Sequence, residues 1–233
     1  MCEIKFASPS AGKISEHRDV ATIASQMESG GATALSVLTE KGSFKGSLEN
    51  LTRAKAATKT VPVMMKDIVV SGEQIVAASK IGADAVLLIL ELFENGLTRI
   101  SLDGAIDLAH NNDLSVVVET YTLEGLKRLV FSTKCDVAGI NNRDLTTFQV
   151  NVERTVELLR SLGEVERHLK RRPLLMSESG YECSKDVEKV LNALRSSRSS
   201  ILPDAFLIGT SIMRSGNVEE KVREFSQVIG GGA

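Results

Sequence analysis

Ile81-Gly82-Ala83-Asp84-Ala85-Val86-Leu87-Leu88-Ile89 carries the grammar of the whole chain. A helical pattern ends at Ile81, glycine makes a turn, and an unbroken apolar run follows. Short Val/Ile/Leu runs of this kind suit strands covered on both faces, which belong to parallel sheets. The same helix-end, turn and strand order recurs at Gly30-Gly31-Ala32, at Lys134-Cys135-Asp136 and at Leu202-Pro203-Asp204-Ala205.

Working outward gives eight candidate strands, over residues 2–5, 34–38, 61–66, 85–90, 115–119, 136–141, 174–178 and 205–208. Amphipathic segments of helical period fill the gaps, over 20–30, 48–57, 72–81, 102–110, 123–131, 152–162, 185–194 and 218–228. Ser71, Thr122, Ser184 and Asn217 stand where N-caps belong, and Gly30 follows a helix end. Strand–helix units joined by short turns imply parallel strands with right-handed crossovers, and eight of them favour a closed barrel over an open sheet. The expected fold is α/β: a single (β/α)8 TIM barrel over residues 1–229, with 230–233 a flexible tail. The polar stretches 161–172 and 195–203 fall at the N-terminal face, away from chemistry.

Length and composition agree. A chain of 233 residues suits one barrel, a fold that often runs to about 250 residues. The 42% hydrophobic and 25% charged fractions are ordinary for a globular protein. A net charge of −2 gives no electrostatic footprint for nucleic acid, and Lys170-Arg171-Arg172 reads as a solvated loop. No run reaches the roughly 18 apolar residues of a membrane span, and Met1-Cys2-Glu3-Ile4-Lys5-Phe6 does not read as a signal peptide. The odd count and wide spacing of Cys2, Cys135 and Cys183 argue against a disulfide framework or zinc site and for a reducing cytoplasm. His17, His110 and His168 show no ligand spacing and receive no role.

The strand ends are unusually charged. Glu3 and Lys5 close the first, Lys66-Asp67 the third, Glu119 the fifth, Asn141-Asn142-Arg143 the sixth and Ser177-Glu178-Ser179-Gly180 the seventh. In a barrel these ends face the active site. One such charge is commonly half of a structural ion pair, but charged ends on several strands point to a catalytic ring in which lysines and carboxylates tune one another's pKa. Gly180 after the seventh strand and Gly209-Thr210 after the eighth let backbone N–H groups approach an anion where barrels hold phosphate. Ser8-Pro9-Ser10-Ala11-Gly12 reads as a flexible polar loop, either able to close over substrate or a plain connection.

These motifs resemble the indole-3-glycerol phosphate synthase family. The resemblance lies in Glu3-Ile4-Lys5-Phe6-Ala7-Ser8-Pro9-Ser10, Leu38-Thr39-Glu40 with Phe44, Val63-Met64-Met65-Lys66-Asp67, Gly82–Ile89, Glu119, Gly139-Ile140-Asn141-Asn142-Arg143, Ser177-Glu178-Ser179-Gly180 and Leu207-Ile208-Gly209-Thr210. It runs in order from residue 2 to about 214. It implies conversion of 1-(2-carboxyphenylamino)-1-deoxyribulose 5-phosphate to indole-3-glycerol phosphate, carbon dioxide and water in tryptophan biosynthesis. No metal or organic cofactor is implied. Lys66 would be the general acid for ring closure. Glu119 would assist dehydration with Lys5 and Glu3 nearby, and which lysine protonates the departing hydroxyl stays open. Asn141 would orient Glu3 and the substrate, Glu178 and Ser179 would complete the polar ring, and Arg143 would meet the anthranilate carboxylate. Ser8 would contact substrate; Phe44, Leu87 and Ile68 would hold the aromatic ring, Ile68 standing where an aromatic is common. Lys5, Gly180, Gly209 and Thr210 would take the phosphate. The chain is expected to lack the family's extra N-terminal helix, to be a monomer or weak homodimer and to tolerate fusion to other tryptophan-pathway domains, with no nucleic-acid or membrane partner. The alternatives are another sugar-phosphate barrel enzyme, which would want an Asp–Cys pair, and a non-catalytic phosphate-binding barrel, which would need neither Lys66 nor Glu119.

Overall fold

The computed structural model describes residues 1–9, 12–15, 19–144, 147–163, 172–197 and 201–230. Among them, eight parallel strands follow one another around one sheet. β1 (Cys2–Ile4) is followed by a small antiparallel pair, β2 (Ala7–Ser8) and β3 (Gly12–Lys13), outside that sheet. The ring continues with β4 (Leu35–Leu38), β5 (Val63–Lys66), β6 (Ala85–Ile89), β7 (Ser115–Thr120), β8 (Val137–Asn141), β9 (Leu174–Glu178) and β10 (Ala205–Leu207). Main-chain bonds from Glu3 N to Ile208 O (2.9 Å) and from Ile208 N to Met1 O (3.1 Å) join the last strand to the first. The helices are α1 (Val20–Ser29), α2 (Leu48–Ala57), α3 (Gly72–Lys80), α4 (Leu90–Glu94), α5 (Leu102–His110), α6 (Leu123–Ser132), α7 (Glu153–Gly163), α8 (Ser184–Ser196), α9 (Thr210–Arg214) and α10 (Val218–Gly230). No helix among the described residues is long and apolar enough to cross a membrane.

Side-chain alternation along each strand builds two cores and then the site. Met64, Leu87, Val117, Met176 and Leu207 pack together inside the ring. Their chain neighbours Met65, Val86, Leu88, Val116, Val118, Leu175 and Phe206 face outward into the larger core shared with the helices. One period further along the inward face, 64 leads to Lys66, 117 to Glu119 and 176 to Glu178. An apolar layer thus plugs the barrel and a charged layer sits directly above it.

The aspartates in the recurring turns have a common task at the opposite end. Asp84 Oδ2 accepts from Val63 N (2.7 Å) and Lys55 Nζ (2.5 Å). Asp136 Oδ2 accepts from Val116 N (2.7 Å) and lies 2.9 Å from His110 Nε2. Asp204 Oδ2 accepts from Leu175 N (2.7 Å) and Arg172 Nη1 (2.5 Å). Each clamp ties the entrance of one strand to the strand before it. His110, given no role from the sequence, belongs to one of them.

Several expectations need correction. Cys183, not Ser184, caps α8, because the Asp186 carboxylate accepts from both Glu182 N and Cys183 N (3.0 Å each), which sets the helix start one residue earlier. Gly230, assigned to the tail, ends α10. The segment after β1 is a hairpin: Ile14 N donates to Phe6 O (2.8 Å) and Ser8 is buried. The short helix α4 was not foreseen. His17, Ser10, Ala11, residues 164–171 with His168 and Lys170-Arg171, residues 198–200 and tail residues 231–233 lie outside the described residues.

Candidate active site

A cavity of about 870 Å³ opens at the C-terminal ends of the strands. Glu3 projects into it from β1, and Lys5 pairs with it from one residue beyond the strand, Nζ lying 2.6 Å from Glu3 Oε2. Lys66 ends β5 and stands between two carboxylates, 3.2 Å from Glu119 Oε2 on β7 and 3.5 Å from Glu178 Oε2 on β9. Asn141 ends β8; its Nδ2 reaches Glu119 Oε1 (3.4 Å), and its Oδ1 accepts from Ser179 Oγ (3.0 Å) and Arg143 N (3.0 Å). Asn141 therefore orients Glu119 and Ser179; it makes no hydrogen bond to Glu3, which had been its expected partner. On adjacent strands Asn141 is in register with Glu178, whereas Glu3 takes Lys5 from its own strand end. Gly139 makes room for the pair of carboxylates: a Cβ there would collide with Glu178 Oε1 and come within 3.2 Å of Glu119 Cβ.

Glu3, Glu119 and Glu178 are 1–3% exposed, so their charges must be balanced inside the protein. Three carboxylates face the ammoniums of Lys5 and Lys66, and the Arg143 guanidinium is close enough for its charge to act on Glu3. Burial, helped by the charges of Glu119 and Glu3 and opposed by Lys66, pushes the Glu178 carboxyl up to about 8. Burial also works against charge on Lys66, but Glu119, Glu178 and Glu3 outweigh it and raise its pKa, so the ammonium persists. For Glu3 burial works upward, yet Lys5 and Lys66 outweigh it and hold the carboxyl below its ordinary range. The site thus offers the Lys66 ammonium, an ionised Glu3 carboxylate and a Glu178 carboxyl that keeps its proton up to about pH 8, an arrangement suited to moving protons.

The walls divide by chemistry. Phe44, Leu87 and Ile68 line an apolar side, with Leu87 buried and Ile68 exposed at the rim. Phe44 is held by its own loop: the Glu40 carboxylate accepts from Gly42 N (2.5 Å), Ser43 N (2.8 Å) and Phe44 N (3.0 Å). Lys5, Ser8, Gly180, Gly209 and Thr210 line the other side. Arg143 lines the cavity too, but Nη1 already donates to Phe148 O (3.1 Å). Burial depresses its pKa and the Glu3 charge opposes that. Asp67, a charged strand end, lines the cavity but pairs outside this ring: Oδ2 accepts from Thr39 Oγ1 (2.5 Å) and Oδ1 from Ile68 N (2.8 Å).

Some contacts here were not foreseen. Glu91 on α4 accepts from Thr120 Oγ1 (2.7 Å) and Tyr121 N (3.2 Å), fastening the end of the strand that carries Glu119. Burial raises its pKa, with the Thr120 hydrogen bond opposing. Its only sequence signal is an acid within an apolar run. Asn142, Thr155, Ser177 and Tyr181 form a buried network behind Ser179 and Gly180 that no spacing rule connects.

Comparison with known proteins decides the family. The family model described as indole-3-glycerol phosphate synthase matches residues 1–225. The indole-3-glycerol phosphate synthase of Methanocaldococcus jannaschii is 39% identical over 225 residues, 96% of this chain and 76% of that protein. This chain belongs to the indole-3-glycerol phosphate synthase family. The family members from Koribacter versatilis and Caldanaerobacter subterraneus are each 37% identical, covering 96% and 99% of this chain and 78% and 80% of their own lengths. Two solved structures share the barrel alone. Thiamine phosphate pyrophosphorylase from Pyrococcus furiosus has a TM-score of 0.64 at 17% identity, over 92% of this chain and 90% of that one. The 3-hexulose-6-phosphate synthase from Salmonella typhimurium has a TM-score of 0.66 at 14% identity, over 100% and 98%. For the synthase family the activity is that of a carboxy-lyase of tryptophan biosynthesis acting on a small phosphorylated substrate.

Proposed function

We propose that this cavity closes the indole ring of 1-(2-carboxyphenylamino)-1-deoxyribulose 5-phosphate with Lys66 as the acid. The observation that carries the assignment is the Lys66 ammonium, kept protonated in a buried site between Glu119 and Glu178. As the aromatic carbon bearing the carboxylate attacks the ketone carbon, negative charge grows on the ketone oxygen. A preorganised ammonium in a dry site stabilises that charge and transfers a proton to it. Carbon dioxide then leaves, its bonding pair returning to the ring system. Dehydration follows: Glu119 takes a proton from the ring methylene while an ammonium protonates the departing hydroxyl. Lys5, adjacent to Glu3, is the nearer candidate for that second acid because Lys66 has just given up its proton.

The rest of the wall holds the substrate bent. Phe44, Leu87 and Ile68 take the aromatic ring, Ser8 and Arg143 contact the substrate with Arg143 at the anthranilate carboxylate, and Lys5, Gly180, Gly209 and Thr210 take the phosphate. Binding at the phosphate, remote from the reacting carbons, helps to offset the entropy of folding a flexible chain into the attack geometry. The test is direct. The purified protein and the carboxyphenylamino sugar phosphate should give rising indole fluorescence with one carbon dioxide released per indole formed. Substrate that binds and is recovered unchanged would sink the assignment and favour a binding barrel.

A further inference from the structure

Behind the end of β9 lies a hydrogen-bond cluster whose members are almost without solvent contact. Asn142 is 1% exposed, and Thr155 and Ser177 are 0% exposed. Asn142 Oδ1 accepts from Thr155 N (3.1 Å) and Thr155 Oγ1 (2.8 Å). With its oxygen fixed by two donors, the amide has one orientation. Its Nδ2 then faces Ser179 O at 3.1 Å, Ser177 Oγ at 3.3 Å and the Tyr181 hydroxyl at 3.4 Å. Ser177 Oγ lies 2.5 Å from Thr155 Oγ1 and 2.6 Å from the Tyr181 hydroxyl, completing the cluster. A buried polar network with its partners in place is stiff.

What this cluster grips is strained backbone. Ser179 has φ 72° and Gly180 φ 94°. Glycine adopts that region freely; serine does so only when its surroundings hold it there. The Ser179 carbonyl and the Gly180 N–H belong to one trans peptide plane and point in opposite directions. Because the carbonyl is turned inward onto Asn142, the Gly180 N–H is turned away from it, and Gly180 lines the cavity. Among the described residues no group accepts a hydrogen bond from that N–H.

We propose that Asn142 is a positioning residue: it sets the Ser179–Gly180 peptide so that the Gly180 N–H is offered to the phosphate of the substrate. This rests on the reading of Gly180 as part of the phosphate seat. Asn142 touches no substrate atom and acts through the peptide plane alone. The same grip fixes the Ser179 hydroxyl on Asn141 (3.0 Å), so one buried amide aligns the anion seat with the charged ring.

Two substitutions test this. Asn142→Asp keeps the shape and the acceptor for Thr155 but removes the donor to Ser179 O. Thr155→Val removes one of the two donors that orient the amide and adds no charge. Inorganic phosphate binding is titrated by calorimetry, kcat and KM are measured with the carboxyphenylamino sugar phosphate, and each protein is melted. Asn142→Asp should weaken phosphate binding about tenfold or more, the worth of a hydrogen bond to a charged group. KM should rise by a similar factor and kcat fall less; Thr155→Val should move both in the same direction by less. Should Asn142→Asp not fold, Thr155→Val carries the test. A folded variant with wild-type phosphate affinity and KM overturns the proposal, as does a loss confined to the melting temperature. Wild-type protein that binds phosphate yet makes no indole product overturns the function instead, and the phosphate titration still judges Asn142. Wild-type protein that binds no phosphate overturns the phosphate seat and the role of Asn142 together.

Discussion

Replacing Glu178 by glutamine should make the protein more stable in mild alkali and flatten its pH profile. The reasoning starts from a carboxyl moved from 4.5 to about 8 by burial and by the neighbouring Glu119 and Glu3 charges. Below pH 4.5 the group is protonated in both folded and unfolded chains and costs nothing. Between 4.5 and 8 the unfolded chain has released the proton and the folded site has not. Stability from this group therefore falls as pH rises, by about 1.4 kcal/mol per pH unit. The accumulated cost is of order 4 kcal/mol by pH 8, after which it levels off. Glutamine has no such proton, retains a donor toward Glu119 and can still accept from Lys66. The assay is urea unfolding of both proteins at one-unit steps from pH 5 to pH 9. The variant should be close to wild type at pH 5 and should pull ahead steadily up to about pH 8. Parallel profiles across that range would refute the reasoning, because they would mean that Glu178 is ionised in the folded site throughout.

Other substitutions probe the frame and the walls. Gly139→Ala places a methyl group against both Glu119 and Glu178, so it should lower kcat by about a hundredfold or more while unfolding transitions show a well-folded protein with an overpacking cost of about 1–3 kcal/mol. Asp204→Ala breaks the clamp on Leu175 N and Arg172 and should cost about 1–3 kcal/mol in denaturant titration, with kcat unchanged at 25 °C. Glu40→Ala frees the loop that presents Phe44 and should raise KM by about tenfold with a smaller change in kcat, read from steady-state kinetics.

The ring of strands was legible because side-chain alternation and apolar runs are local signals. The expected strands agree with those in the barrel to within a residue or two, and Lys66, Glu119 and Glu178 fall on the inward parity of their strands. The turn aspartates were visible as a repeating pattern, but their partners were not: Asp204 reaches Leu175, and only the closed barrel brings the two together. The same limit explains Asn141, read as the companion of Glu3 but bonded to Glu119 and Ser179. The left-handed backbone at Ser179 leaves no trace in residue type, because serine is not a residue that advertises it. The α8 cap was misplaced by one residue because the Asp186 carboxylate reaches back to Glu182 N and Cys183 N, a capping box that starts the helix at Ser184 whatever the residue type at the cap.

The claim on which the mechanism depends is that the Lys66 ammonium delivers the proton for ring closure. The decisive measurement is kcat of Lys66→Ala for indole formation, taken beside its melting curve and its affinity for the substrate. The expected result is a loss of about a thousandfold or more in kcat with folding and substrate binding retained. A folded variant that still turns over within tenfold of wild type would contradict the account.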